Sequence, residues 1–232
     1  MNIAIILSGG VGSRMGLNLP KQYVMVNNQP IINYCLTTFL NKDNIDAVVI
    51  VVADQWKDFV VNLPSLQNTS KSVLFAQPGE TRQYSIFNAL KVVESAGYAK
   101  DDIVIVHDAA RPLVSSNLID HCIESCQSAD AVMPVIPVKD TVYYSKDASH
   151  IDSLLERSHL WAGQAPEAFV FGKYLQAHKN MPEDELLQIN GSTEIAYKVG
   201  LKCKLVKGDA MNFKITTPED LSNFEVVLKN SK

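Results

Sequence analysis

Apolar residues along this chain fall into two arrangements that alternate. Runs at residues 2–7 (NIAIIL), 47–53 (AVVIVVA), 72–76 (SVLFA), 102–107 (DIVIVH) and 131–136 (AVMPVI) are almost continuously apolar. That pattern predicts strands covered on both faces, as in a parallel sheet. Between them the spacing changes to one helical face. Ile31, Ile32, Cys35, Leu36, Phe39 and Leu40 mark one helix, Ile86, Leu90 and Val93 a second, and Leu118, Ile119, Cys122 and Cys126 a third. Strand–helix alternation predicts an α/β fold with a doubly wound, mostly parallel sheet and right-handed crossovers. Near the C-terminus TTPEDLSNFEVVL reads as a helix start, with Thr217 as N-cap, Pro218 at the first position and Asp220 at the third.

One segment breaks the alternation. VKDTVYY, the polar SKDAS turn and HIDSLLER predict a two-stranded excursion over residues 139–159. A lone hairpin is marginal in water, so this arm is expected to pack against a partner subunit, giving a homodimer. No linker or repeat is visible, and residues 1–232 read as a single domain.

Composition narrows the classes. A formal net charge of −4 argues against a nucleic-acid-binding surface. The longest apolar runs have strand length, far from the roughly 18 residues of a membrane helix, so no membrane association is expected. The first residues show no basic stretch or cleavage site, and a cytoplasmic location is expected. The four cysteines have no zinc-type spacing and read as reduced, packed thiols.

The chemistry is concentrated where strands end. LSGGVGSRM follows the first strand, and Gly9, Gly10 and Gly12 would let backbone N–H groups approach phosphate oxygens. Known nucleotide loops do not fit: the dinucleotide pattern needs glycine where Met15 stands, and the Gly-Lys-Ser/Thr of a P-loop is absent. A plain structural turn is the alternative. Arg14 in the loop and Lys21 in PKQY are costly unless solvated or paired with anions. Around a triphosphate they would neutralise charge at the reacting phosphorus; otherwise they are surface cations. In QPGETRQYSIFNAL, Gly79 follows a strand and Thr81, Arg82 and Ser85 open a helix. That position suits a base edge, a ribose or an anion, or is simply a capped helix. DIVIVHDAARP brings Asp108 to the same sheet edge, where one carboxylate with phosphates and waters can hold Mg²⁺. His107 reads as a general base or, by preference, as a structural or orienting group.

The series LSGGVGSRM, PKQY, GETRQYS, HDAARP, PVKDT, Arg157 and NFKITTPEDL resembles the 2-C-methyl-D-erythritol 4-phosphate cytidylyltransferases and their relatives for ribitol 5-phosphate and other polyol phosphates, over residues 1–230. The resemblance implies a Rossmann-like nucleotidyltransferase fold that binds CTP and Mg²⁺. It implies that Leu7, Ser8, Gly9 and Gly10, with Gly12 and Ser13, wrap the nucleotide, and that Gly79, Thr81, Arg82 and Ser85 lie near cytosine and ribose. Arg14 and Lys21 match transition-state stabilisers, Asp108 the metal-contacting aspartate, and Arg157 and Lys214 the pair positioning the acceptor phosphate. The 139–159 excursion matches a dimerisation arm carrying Asp140, Thr141 and Arg157 to the neighbouring subunit. Chemistry agrees, because a phosphate monoester is largely dianionic at neutral pH and needs no general base. Holding two polyanions in line needs cations, a metal and glycines.

Several positions depart from the family pattern. INGSTEIAYKVG carries Asn190, Gly191 and Ser192 where the erythritol-phosphate enzymes commonly have a Thr-Asp-Glu/Asp run. Ala165 and Glu167 stand where Thr and Gln are usual, and GDAM precedes Asn212. These lie on the acceptor side in the family, and with VVADQWKDF they favour an open-chain polyol phosphate such as ribitol 5-phosphate; methylerythritol 4-phosphate is the alternative. Tyr84 and Ser192 are candidates for the acceptor hydroxyls. A dinucleotide-dependent oxidoreductase, with Asp54 closing the second strand, would not need Arg14 or Lys21. A non-catalytic nucleotide sensor is expected to have lost the basic residues or the aspartate.

Overall fold

The computed structural model describes residues 1–10 and 19–230. The strands are β1 (Asn2–Leu7), β2 (Met25–Val26), β3 (Gln29–Pro30), β4 (Ala47–Val51), β5 (Ser72–Ala76), β6 (Ile103–Asp108), β7 (Ala131–Pro137), β8 (Tyr143–Tyr144), β9 (Ser153–Leu154), β10 (Trp161–Gly163), β11 (Glu167–Val170) and β12 (Cys203–Lys207). The helices are α1 (Ile31–Leu40), α2 (Asp54–Val61), α3 (Pro64–Gln67), α4 (Arg82–Ser95), α5 (Ser116–Ser125), α6 (Phe171–Asn180), α7 (Glu183–Gln188), α8 (Ser192–Lys198) and α9 (Pro218–Asn230).

The five apolar runs form the sheet's parallel members. β5, β4, β1 and β6 lie side by side, all parallel. β11 enters antiparallel between β6 and β7, β10 continues antiparallel along β7, and β12 pairs parallel with the remaining edge of β7. Ala4, Ile6, Val48 and Ile50 face a core that includes α1 and α5 residues, whereas Ile3, Ile5, Val49 and Val51 face one that includes α4 and α6 residues. Alternate residues of one strand thus serve both faces, which is why those strands read as unbroken apolar runs.

Two boundaries move from the expected positions. β4 stops at Val51, and Asp54 opens α2 instead of closing a strand. β6 runs on to include Asp108, so that carboxylate sits on the last strand residue. The C-terminal helix starts as expected: Thr217 Oγ1 accepts from Asp220 N at 3.3 Å, and Asp220 accepts from Thr217 N at 2.9 Å. Phe224 of α9 then packs with Ile31, Val26 and Ile215 in a small separate cluster.

The expected arm is a hairpin in which β8 and β9 pair antiparallel with each other, Tyr143 opposite Leu154. Tyr143, Tyr144, Ile151, Leu154 and Leu155 are all exposed on it. The cysteines are free, and burial pushes Cys35, Cys122 and Cys126 up to about 12. Among the described residues no helix is long and apolar enough to cross a membrane.

Candidate active site

Parallel pairing of β1 with β6 sets Leu7 opposite Asp108, so the glycine loop and the aspartate leave the sheet side by side at its carboxyl edge. A cleft of about 440 Å³ opens there. It gathers Leu7, Gly9, Gly10, Lys21, Gly79, Thr81, Arg82, Ser85, Asp108 and Lys214 from five stretches of chain. Gly12, Ser13 and Arg14 lie outside the described residues. Two glycines are demanded by close approach: a Cβ on Gly9 would collide with the Pro78 ring, and one on Gly79 with Tyr84. Thr81 caps α4 by accepting from Tyr84 N at 3.3 Å, and Ser85 Oγ accepts from Gly79 N at 3.0 Å. That serine fixes the turn from which Arg82 projects.

Asp108 is the electrostatic centre. Its Oδ1 accepts from Arg82 Nε and Nη2, both at 3.3 Å, and its Oδ2 accepts from Lys214 Nζ at 2.9 Å. Arg111 Nε lies 3.6 Å from the same Oδ2. Burial alone would raise the Asp108 carboxyl, but Arg82, Lys214 and Arg111 outweigh it and hold it well below the usual carboxylate range. Three cations face Asp108, and with Glu167 also against Arg82 the cluster keeps a formal excess of one positive charge, which suits a polyanionic ligand.

Behind Arg82 a second layer holds it in place. Arg82 Nη1 donates to Ser192 Oγ, and Nη2 lies 3.5 Å from Glu167 Oε1. Glu167 Oε2 accepts from Thr193 N at 2.9 Å and Thr193 Oγ1 at 2.6 Å. Tyr174 OH donates to Ser192 O at 3.1 Å, and Gln83 Nε2 to Gly191 O at 2.6 Å. Ser192 is fully buried, so its hydroxyl serves Arg82 and does not line the cleft. Ser8 is likewise buried, donating from Oγ to Val51 O at 2.6 Å. His107 is buried with Nε2 3.0 Å from Arg111 O, and burial lowers its imidazole to about 4. Its ring meets the Arg111 backbone and does not line the cleft.

A sequence model of the family described as "IspD: 2-C-methyl-D-erythritol 4-phosphate cytidylyltransferase" matches residues 2–230. The chain belongs to this family. It is a cytidylyltransferase of the IspD family, and so a nucleotidyltransferase. Over 227 residues, 98% of each chain, it is 36% identical to the 2-C-methyl-D-erythritol 4-phosphate cytidylyltransferase of Clostridium beijerinckii. Over 228 residues, 98% of this chain and 95% of the relative, it is 32% identical to the ribitol-5-phosphate cytidylyltransferase of Streptococcus agalactiae. A crystal structure of a 4-diphosphocytidyl-2C-methyl-D-erythritol synthase superposes with a TM-score of 0.81 at 26% identity, covering 98% of both chains.

Within this IspD-family chain, three expected residues stand apart from the cleft. Asp140, Thr141 and Arg157 belong to the exposed arm, where Arg157 Nη1 donates to Lys139 O at 2.9 Å. Three groups that sequence reading did not assign belong to the site. Arg111 flanks Asp108 and donates from Nη1 to Asn212 O at 2.7 Å, Glu167 backs Arg82, and Gln22 lines the cleft floor beside Lys21. Arg111 and Gln22 sat inside the quoted motifs HDAARP and PKQY. Glu167 was visible as a charge leading into the apolar run AFV, the signature of a buried carboxylate that needs a partner.

Proposed function

We propose that the chain transfers CMP from CTP to the phosphate of an open-chain polyol phosphate such as ribitol 5-phosphate, giving a CDP-polyol and pyrophosphate. The observation that carries this reading is the convergence of Arg82, Arg111 and Lys214 on Asp108 in a cleft that Lys21 and the glycine loop also line. It is a site for two polyanions, and the described residues of its wall include the carboxylates Glu80 and Asp108 but no histidine. The one nearby imidazole, His107, is buried and faces a backbone carbonyl. A phosphate dianion needs no base, so an acceptor oxygen attacks the α-phosphorus in line and pyrophosphate departs.

The roles follow from position. Lys21, with Arg14, neutralises charge that develops on the bridging and α-phosphate oxygens. Lys214 draws the acceptor phosphate towards the α-phosphorus. Gly9, Gly10 and Gly79 admit the nucleotide closely, and Thr81, Arg82 and Ser85 stand at the start of α4 to meet cytosine and ribose. Asp108, an ionised carboxylate on the cleft wall, fits a Mg²⁺ held mainly by ligand phosphates, and among the described residues no larger carboxylate, histidine or cysteine cluster competes for it. When bound, Mg²⁺ would share the triphosphate's charge, held by Asp108. The exposed apolar arm supports a homodimer in which Asp140, Thr141 and Arg157 reach the other copy's acceptor site. A protein of this kind is expected in the cytoplasm.

Methylerythritol 4-phosphate is the second reading, favoured by the family's description and the 36% identical relative. Against it stand Ala165, Glu167, Asn190, Gly191 and Ser192, of which Glu167 and Ser192 both contact Arg82. Pyrophosphate release with CTP and Mg²⁺, measured over methylerythritol 4-phosphate, ribitol 5-phosphate, arabinitol phosphate and both glycerol phosphates, separates the two. A preference of at least ~100-fold in kcat/KM for an open-chain polyol, about 2.7 kcal/mol, supports the first reading. The same preference for methylerythritol 4-phosphate overturns it.

A further inference from the structure

PKQY contains a buried polar side chain that the proposed reaction does not use. Gln22 is 3% exposed although Lys21 beside it and Gly10 line the cleft. Its amide Nε2 donates to Ser8 O at 2.5 Å and to Gly10 O at 2.8 Å, two carbonyls of the glycine loop. Tyr23 OH adds a donation to Ser8 O at 3.2 Å. The donors are rigidly mounted: Lys21–Tyr23 form one 3-10 turn, and the Tyr23 ring stacks on Trp56 with centroids 4.6 Å apart.

We infer that Gln22 is a positioning residue that gives the glycine loop its polarity towards anions. A peptide presents its C=O and N–H on opposite sides. Pinning the Ser8 carbonyl against Gln22 therefore turns the Gly9 N–H away from Gln22. A loop left to itself could as readily offer carbonyl oxygens to the cleft, and those repel phosphate. Gln22 supplies the Ser8 and Gly10 carbonyls with a buried donor, so the Gly9 N–H is what a triphosphate meets. The same turn carries Lys21, so one element orders the loop and places the cation beside it.

The inference rests on reading the cleft as a nucleoside triphosphate site, and binding measurements separate the two. Calorimetric titration of CTP and of inorganic triphosphate, each with Mg²⁺, is made on the full chain as wild type, Gln22→Met and Gln22→Glu. Met keeps the shape and loses the donor, and both ligands are expected to bind at least ~10-fold more weakly. Glu places an acceptor where a donor is needed. Its binding, relative to wild type at the same pH, is expected to be poorest at pH 8 and to recover towards pH 6. A protonated carboxyl can donate to one of the two carbonyls, whereas Met shows no such recovery. If Gln22→Met does not fold, the pH series of Gln22→Glu decides alone. Wild-type affinity in Gln22→Met, or no pH recovery in Gln22→Glu, reduces Gln22 to a packing residue. Wild type that binds inorganic triphosphate but not CTP refutes the cytidylyl reading only, and the Gln22 comparison stands on triphosphate. Wild type that binds neither refutes both.

Discussion

Lys214 Nζ donates to Asp108 Oδ2 at 2.9 Å across 106 residues of chain. Two neighbouring bonds bring this about: Ile215 N donates to Ala110 O at 2.8 Å, and Arg111 Nη1 to Asn212 O at 2.7 Å. The segment before α9 is thereby laid along the exit from β6. Lys214 is about a third exposed, so removing it costs little stability, at most about 1 kcal/mol. Lys214→Ala is expected to lower kcat/KM by about 10²-fold. Asp108→Ala should do at least as much and also destabilise by about 2 kcal/mol, because partly buried cations lose their common partner. Pyrophosphate-release kinetics beside urea unfolding check both, and normal turnover in Lys214→Ala refutes its role.

Two buried histidines make stability depend on pH. His107 and His178 are each lowered by burial from 6.5 to about 4. Each takes up a proton in the unfolded chain near pH 6.5 but in the folded one only near pH 4. Stability is therefore full above pH 6.5 and is lost as pH falls through that window, by up to about 1.4 kcal/mol per pH unit for each residue. The Asp108 depression adds a loss only below the ordinary carboxylate range. Unfolding free energies at pH 7.5, 6 and 5 test this, and a flat profile contradicts it. His178→Gln should lower the plateau and halve the slope.

The parallel half of the sheet was legible because Ile3 to Ile6, Val48 to Val51 and Val104 to Val106 are buried from both sides, which leaves an unbroken apolar signal. α1, α4 and α5 showed their one-sided stripes for the converse reason. β10 and β11 were not legible: WAGQAPEAFV mixes small, polar and proline residues, and the place of β11 between β6 and β7, with β10 along β7, follows from partners distant in sequence. The cleft residues were legible as residue types next to strand ends. Their mutual contacts were not, since Arg82 meets Ser192, Glu167 and Asp108 only after the sheet has formed. Ser192 shows the difference: proposed for the acceptor, it sits buried with its hydroxyl on Arg82.

The glycines of the cleft separate packing from binding. A Cβ on Gly79 would meet Tyr84, and on Gly9 the Pro78 ring, while on Gly10 it would meet nothing within 4 Å among the described residues. Gly9→Ala and Gly79→Ala are expected to lose about 1–3 kcal/mol of stability as well as nucleotide affinity. Gly10→Ala should keep the melting temperature and lose affinity, because the added methyl group occupies space the phosphates need. Thermal unfolding and CTP titration on all three variants distinguish the cases. Full CTP affinity in Gly10→Ala would show that the loop does not approach the phosphates there.

The arm makes the last prediction. Leu154 is 71% exposed and Tyr143, its cross-strand partner, 53%, an apolar surface that an isolated two-stranded hairpin has no reason to keep. If two copies bury it against each other, sedimentation should give a dimer, and Leu154→Asp should yield monomers with an intact fold. Those monomers should bind CTP normally, since the described nucleotide wall belongs to one copy. They should turn over at least ~10-fold more slowly, because Asp140, Thr141 and Arg157 no longer reach an acceptor. Mixing the impaired Lys214→Ala and Arg157→Ala variants then provides the decisive case. Exchange of subunits creates heterodimers in which one cleft keeps its own Lys214 and receives an intact Arg157 from the other copy. Recovered turnover on mixing places Arg157 across the interface; no recovery, with exchange verified, means that Arg157 serves its own cleft.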